Sequence, residues 1–282
     1  MMYLVTGATG EIGSRVVELL LCNGKRVRVF ARNVQKARLR FGDRVEIFSG
    51  DLADPGSLRP ALEHVEGLFL VTTGPEIPLY DRSAAKVAKA AGVGRLVKLS
   101  SMDVEQGIAL GRWHEQGEAA IRAAGIPFTL VRPSGFMSNL LAWATPINRE
   151  GVLRSSTGGG RRGFIHPIDI AEVAAAALTT GRYQGKCLTI TGPEALSFSE
   201  IAEKIGTAIG RNVTYQQISD DEAQARYAAT GASESETEAH VALWRAIREG
   251  RLAMVTGTVE QVLGRKPLGI DQWISENRAA FG

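Results

Sequence analysis

The sequence predicts an α/β protein, a doubly wound parallel sheet with a smaller, mostly helical C-terminal lobe. Three observations carry that prediction. Short apolar runs alternate with longer stretches of helical periodicity through the first two thirds of the chain. The apolar runs are nearly continuous rather than alternating, as in strands covered on both faces. A glycine-rich turn, Gly7-Ala8-Thr9-Gly10-Glu11-Ile12-Gly13, stands directly between the first strand-like run and the first helical pattern.

Taken in order, Met2–Thr6 reads as the first strand, and Ile12, Val16, Leu19 and Leu20 recur on one helix face closed by Gly24. Val27–Ala31, Val45–Phe48 and Leu68–Thr72 read as the next three strands. A second helical face follows at Ala84, Val87, Ala88 and Ala91, closed by Gly92. Leu96–Ser100 is the fifth strand, a helix runs from about Trp113 to Ala124 before Gly125, and Phe128–Arg132 is the sixth strand. Strand, helix and strand repeated in this way require right-handed crossovers. After Pro133 the alternation weakens. Residues 137–162 are mixed, and the run Gly158-Gly159-Gly160 reads as a plain loop. A helix at Ile168–Leu178 and a strand at Cys187–Thr191 then return to the sheet. The remainder is mostly helical, with Ser197 and Glu200, then Ser219 and Glu222, spaced as capping boxes. Val213–Ile218 reads as one more strand, and Ala232–Glu238 as a polar mobile loop or helix start. The expected division is a dinucleotide-binding domain of residues 1–136 and 163–192, and a substrate lobe of 137–162 and 193–282.

Composition narrows the function classes. The chain has 282 residues, 44% hydrophobic, 22% charged and 6% aromatic, which suits one large domain or two intimate ones. Lysine and arginine number 33 against 30 acidic residues, a net +3 too small and too scattered to argue for nucleic acid as a partner. No apolar run approaches the ~18 residues of a membrane span, and a strand beginning at Met2 leaves no room for a secretory signal, so a cytoplasmic protein is expected. Cys22 and Cys187, far apart and each in apolar sequence, read as small core residues, not as a disulfide framework or a cysteine metal cluster; no metal is expected. The 32 glycines are the distinctive number.

Gly7, Gly10 and Gly13 in a strand–turn–helix context allow a tight turn and close approach of the backbone to a pyrophosphate resting on the helix N-terminus. The spacing is G-x-x-G-x-x-G, which departs from the G-x-G-x-x-G fingerprint. Thr9, Glu11 and Ile12 belong to the same candidate site. At the end of the second strand an acid would bind the ribose 2′-OH of NAD, whereas this chain has Arg32-Asn33 with Lys36 one turn on. Arg32 can meet a 2′-phosphate as a bidentate fork with Lys36 as a supporting charge, so the expected cofactor is NADP(H). Asp51 and Leu52 after the third strand are candidates for the adenine. An Asx turn at Asp51 is the alternative and does not exclude that role. Thr72, Thr73 and Gly74 end the fourth strand, where small residues let a ribose approach.

Together these residues resemble the NmrA-like atypical short-chain dehydrogenase/reductases. The likeness is carried by the turn at Gly7–Gly13, Arg32 with Lys36, Gly50-Asp51-Leu52, Lys98-Leu99-Ser100-Ser101 and Gly125-Ile126-Pro127-Phe128-Thr129-Leu130-Val131-Arg132-Pro133. Phe136, Met137 and Asn139, and Phe164-Ile165-His166-Pro167-Ile168-Asp169-Ile170-Ala171, extend it over nearly the whole chain. The resemblance implies a Rossmann sheet, bound NADP(H) touching Ser100 and Pro133, and a C-terminal lobe over the substrate. It embraces quinone and dye reductases, enzymes of specialised metabolism and redox-sensing regulators without turnover.

The chain departs from the Tyr-x-x-x-Lys pattern of short-chain reductases. Counting back from Gly125 puts Leu110 at the tyrosine position and His114 at the lysine position. The resemblance makes His114 the catalytic candidate, a donor to a cofactor ribose or a substrate oxygen, against the alternative of a surface histidine beside Trp113. Glu118 shares its helix face, either to orient the imidazole or merely to decorate the helix.

Without the tyrosine, an acceptor that spreads the arriving charge is favoured over a simple ketone. The expected activity is NADPH-dependent hydride transfer to a conjugated carbonyl or quinone-like small molecule. Trp113, Phe136, Met137 and Trp143 are candidates for an apolar slot, Ser101 and Asn139 for donors to its oxygen, and His166 for the pocket lining. The expected partner is an aromatic or conjugated small molecule, with no nucleic acid or membrane, and a homodimer is conceivable. The rival readings are a redox sensor that binds NADP(H) without turnover and a tailoring enzyme of specialised metabolism.

Overall fold

A computed structural model describes residues 1–282, with every side chain except that of Ala109. The chain begins β1 (Met2–Thr6), α1 (Glu11–Cys22), β2 (Arg26–Ala31), α2 (Val34–Phe41), β3 (Glu46–Ser49) and α3 (Pro55–Leu58). It continues β4 (Val65–Leu70), α4 (Ile77–Ala90), β5 (Arg95–Leu99), α5 (Ala109–Ala123) and β6 (Phe128–Pro133). Then come α6 (Ala144–Glu150), β7 (Val152–Ser155), β8 (Arg161–Arg162), α7 (Pro167–Thr180), β9 (Cys187–Ile190) and β10 (Leu196–Ser197). The chain ends α8 (Phe198–Ile209), β11 (Thr214–Gln217), α9 (Asp220–Ala228), α10 (Glu234–Arg248), α11 (Thr258–Leu263) and α12 (Ile270–Glu276).

The central sheet has seven strands in the order β3-β2-β1-β4-β5-β6-β9. Its pairs from β3 through β6 are parallel. The bonds from Leu130 N–H to Lys186 and from Ser134 N–H to Ile190 advance together, so β9 continues the same direction. The order reverses between β1 and β4, which is the switch point where open α/β sheets bind ligands. Unbroken burial of β1 explains its unbroken apolar sequence.

Two compact units divide the chain. The first comprises residues 1–101, 113–132 and 167–189, and the second comprises 102–112, 133–166 and 190–282. The core of the first includes Leu4, Phe30, Leu62, Leu68, Leu96 and Leu130. That of the second gathers Met102, Met137, Phe164, Phe198, Leu243 and Trp273. In the second unit, Ser197 and Glu200 cap α8 reciprocally as the spacing predicts.

Several local expectations are corrected. Of the two alternatives for residues 232–238 the helix start holds and the mobile loop does not, because Ser233 and Glu236 form a full capping box that starts α10. The glycines at 158–160 are more than a plain loop. A Cβ on Gly160 would stand 2.0 Å from the Ile247 carbonyl oxygen, so glycine is what lets this turn lie against the end of α10. Both cysteines are exposed rather than core. Cys22 is the last residue of α1, off its buried face, and Cys187 opens a strand at the sheet's edge. β4 stops at Leu70, leaving Thr72 in the loop beyond it. Among the described residues no helix is long and apolar enough to cross a membrane.

Candidate functional site

At the switch point of the first unit the strand ends open into a cleft of about 630 Å³. Its walls are the β1–α1 turn (Thr6 to Gly10), the end of β2 (Phe30 to Asn33, with Lys36) and the end of β3 (Gly50 to Leu52). The loop after β4 (Val71 to Thr73) and the start of α4 (Glu76, Tyr80) complete them. The size and place suit one nucleotide ligand. The turn is shaped by close approach. Gly7 has φ +61°, and a Cβ there would lie 2.9 Å from that of Val71. A Cβ on Gly13 would lie 2.3 Å from the Gly7 carbonyl oxygen, so α1 can start hard against the turn only without a side chain. The Thr6 hydroxyl accepts from the Val71 N–H at 2.8 Å and locks the ends of β1 and β4 together.

Gly10 is the extended N-cap of α1 and offers no side chain to its first-turn N–H groups. An anion placed there meets uncapped donors and the positive end of the helix. The glycine cradle and this N-terminus fit the diphosphate of a dinucleotide. Arg32 and Lys36 are exposed on the same cleft, with no acid at the β2 tip. Asn33 accepts the Lys36 N–H at 2.8 Å and caps α2, which places the lysine on the cleft side of the first turn. Asp51 makes the Asx turn, Oδ1 accepting from the Ala53 N–H at 3.0 Å, and still lines the cleft beside Leu52. Ser57 ties the turn together through the Asp51 backbone.

Of the candidate nucleotide residues, Gly7, Thr9, Gly10, Arg32, Lys36, Asp51, Leu52, Thr72 and Thr73 line this cleft. Ile12 and Gly13 are buried beneath it, and Glu11 is exposed on the first turn of α1. Gly74, at φ +80°, accepts the Ile77 N–H and turns the chain into α4. Pro133 is buried at the end of β6. The Ser100 hydroxyl is turned inward and donates to Glu118 Oε1 at 2.6 Å.

Behind Thr72 lies a buried polar cluster. Lys98 on β5 is wholly buried, its Nζ donating to the Thr72 hydroxyl and lying 3.3 Å from Asp81 Oδ1 on α4. Thr72 in turn donates to Asp81 Oδ1 at 2.8 Å. Burial drives the Asp81 carboxyl up and the Lys98 amine down, each resisted by the other's charge. Thr72 therefore does more than leave space for a ribose.

His114, half-buried on α5, keeps Nδ1 sealed from solvent with no hydrogen-bond partner. Burial first, then the charge of Lys98, lowers its pKa to about 3, so the imidazole is neutral at ordinary pH. Glu118 neither orients that ring nor decorates the surface. It is wholly buried and takes Arg132, Ser100 and Arg122 as its hydrogen-bond partners. Burial pushes its carboxyl up, but these bonds and charges outweigh that and hold it below the usual range.

The substrate candidates fall in both units. Ser101 and Trp113 are half-buried in the first. In the second, Phe136 bridges to Ile165, Met137 is wholly within the core, and Asn139 is exposed. Trp143 donates its indole N–H to the Arg154 carbonyl at 2.7 Å and sets its ring edgewise to Phe198. It also lines a hollow of about 180 Å³ with Tyr227 and Trp244. His166 is buried with Nε2 3.1 Å from Glu276 Oε2. Sequence reasoning missed Thr6, Val71, Glu76 and Tyr80 in the cleft, and Lys98 with Asp81 behind it. A lysine inside an otherwise apolar strand was the legible signal for Lys98.

Comparison with known proteins gives the following. The NmrA-like family matches residues 2–239. A (4-alkanoyl-5-oxo-2,5-dihydrofuran-3-yl)methyl phosphate reductase of Streptomyces griseus is 37% identical, with 99% of each chain covered. An NAD(P)H azoreductase of Xenophilus azovorans is 34% identical over 100% of this chain and 99% of its own. Among solved structures, an NADPH-dependent quinone oxidoreductase of Escherichia coli complexed with NADPH superposes with a TM-score of 0.90. That likeness covers 98% of this chain and 99% of the other, at 24% identity.

Proposed function

The chain belongs to the NmrA-like family, and on that premise we propose that it reduces a conjugated carbonyl or quinone-like small molecule by hydride transfer from NADPH. It is an oxidoreductase of the NADP(H)-binding kind; its relatives are a reductase and an NAD(P)H azoreductase. The observation that carries the cofactor choice is the pairing of a glycine cradle with Arg32 and Lys36 on one cleft wall and no acid at the β2 tip. Gly7 and Gly10 admit the diphosphate, Arg32 and Lys36 hold the 2′-phosphate, and Asp51 with Leu52 borders the adenine.

NADPH, when bound, supplies the hydride. His114 serves at the reacting end, and its charge state bears on the acceptor. A neutral imidazole offers one N–H as a hydrogen bond and is a weak acid. That suits an acceptor whose reduced form spreads its charge over a conjugated system better than one that builds a localised alkoxide.

The test is NADPH oxidation followed against a panel of quinones, azo dyes, α,β-unsaturated lactones and simple ketones. Turnover with the conjugated acceptors and not with the ketones is expected. Tight NADPH binding with no turnover on any acceptor would replace the reductase by a redox sensor.

A further inference from the structure

Thr72 stands in the cleft wall, yet its hydroxyl is committed inward. A threonine hydroxyl has one proton and two lone pairs. The proton goes to Asp81 Oδ1 at 2.8 Å, and one lone pair takes the Lys98 ammonium. A single lone pair remains for a ligand. From the cleft this side chain can accept a hydrogen bond, and it has no proton left to give.

That polarity is held firmly. Lys98 on β5 and Asp81 on α4 are both wholly buried, with Nζ 3.3 Å from Oδ1, so neither charge can turn to water instead. Asp81 is also wedged against α5. A Cβ at Gly117 would stand 2.2 Å from Oδ2, which leaves the carboxylate little room to swing. The backbone beside Thr72 is fixed as well, because the Thr6 hydroxyl takes the Val71 N–H at 2.8 Å. Thr73 makes the contrast. It is exposed on the same cleft and, among the described residues, its hydroxyl has no partner, so it keeps both roles.

The phosphate-binding part of the cleft has the opposite polarity. Gly10 leaves the first-turn N–H groups of α1 uncapped, and Arg32 and Lys36 bring only donors. A phosphate oxygen accepts and finds no donor at Thr72, whereas a ribose hydroxyl can donate to it. A buried ion pair adds little stability over an apolar pair of similar volume, so joining β5 to α4 does not by itself account for Lys98 and Asp81.

We propose that Lys98 and Asp81 are positioning residues for nucleotide recognition, fixing Thr72 as an acceptor-only contact that takes a sugar hydroxyl of the dinucleotide and turns away its phosphate oxygens. This rests on the NADP(H) part of the reading above and not on turnover.

The experiment is isothermal titration of the whole protein with NADP and with three analogues, each lacking one of its free sugar hydroxyls. At least one analogue should bind about threefold to tenfold more weakly than NADP, as the loss of one hydrogen bond entails. In Thr72→Val that difference should vanish, and in Thr72→Ser, which keeps the hydroxyl, it should return. Lys98→Met with Asp81→Asn removes both buried charges and leaves the hydroxyl present but unheld. In that double variant, shown by circular dichroism and urea unfolding to be folded, the difference should shrink to less than about twofold. Equal affinity for NADP and all three analogues overturns the proposal. So does a difference that persists at full size in the double variant, and this arm decides even where Thr72→Val does not fold. Either result with NADP bound tightly leaves the reductase reading standing. A protein that shows the expected pattern but turns over no acceptor loses that reading alone.

Discussion

Arg132 grips Glu118 with two parallel hydrogen bonds, Nε to Oε1 at 2.8 Å and Nη2 to Oε2 at 2.5 Å, and so pins α5 to β6 from inside the protein. Ser100 at the end of β5 adds a third bond at 2.6 Å. Glu118→Ala strips a nearly buried guanidinium of its carboxylate, and a loss of about 3–5 kcal/mol is expected in urea unfolding. Replacing both partners, Glu118→Leu with Arg132→Met, should recover most of it, because an apolar pair leaves no orphaned charge. A double variant as unstable as the single one would show that the bond's geometry, not the stranded charge, sets the cost.

His114 gives stability its own pH dependence. Its folded pKa, about 3, lies below the unfolded value near ~6.5, so the unfolded chain binds the extra proton. The contribution is fully present above that unfolded value and drains away as pH falls below it. The expected loss between pH 7 and pH 5 from this group is up to about 2 kcal/mol. His114→Gln should flatten that segment of the stability curve, and an unchanged slope would mean the ring titrates normally. Glu118, held low, adds a loss of the same sign only at more acid pH, below the ordinary carboxylate range.

Gly13→Ala tests the cradle. Its methyl would meet the Gly7 carbonyl oxygen at 2.3 Å and Ala8 Cα at 3.0 Å, both backbone atoms that cannot swing aside. The turn must open, and NADPH affinity should drop by about tenfold or more while the circular dichroism spectrum is kept. Gly24→Ala is a useful control. Nothing lies within 4 Å of a Cβ there, so its cost is confined to the strain of φ +66° and leaves binding intact.

The parts of this protein that sequence makes legible are those set by short-range rules. The turn at Gly7–Gly13, the boxes at Ser197 and Ser233, and the apolar strands all follow from local pattern and backbone sterics. At Ser233 the polar run after Gly231 leaves a loop and a helix start equally open by composition, and the reciprocal bonding of Ser233 with Glu236 decides for the helix. What periodicity could not show is pairing over long separations. Asp81 and Lys98 sit on different elements, and nothing in α4 alone distinguishes Asp81 from a solvated acid. Glu118 illustrates the same limit. Its i,i+4 relation to His114 suggested a shared task, but Arg132 and Ser100, both brought in by the sheet, claim its oxygens. The cysteines fail differently, since apolar neighbours in sequence say nothing of which way a terminal helix or edge-strand residue points.

Arg32 and Lys36 bear on cofactor choice unequally. Both are exposed on the cleft, Arg32 at the tip of β2 and Lys36 on the first turn of α2. A guanidinium can bind a phosphate by two parallel bonds, whereas an ammonium acts as a point charge. Removing a charged hydrogen-bond partner costs about 1.5–3 kcal/mol, roughly ten- to hundredfold in affinity. Arg32→Ala should therefore weaken NADPH by that factor and scarcely change NADH, and Lys36→Ala should follow with a smaller effect that fades at high salt. Isothermal titration with both nucleotides measures it. Equal losses for NADPH and NADH would remove Arg32 from the 2′-phosphate and leave the cofactor preference to be carried by the backbone of the cleft.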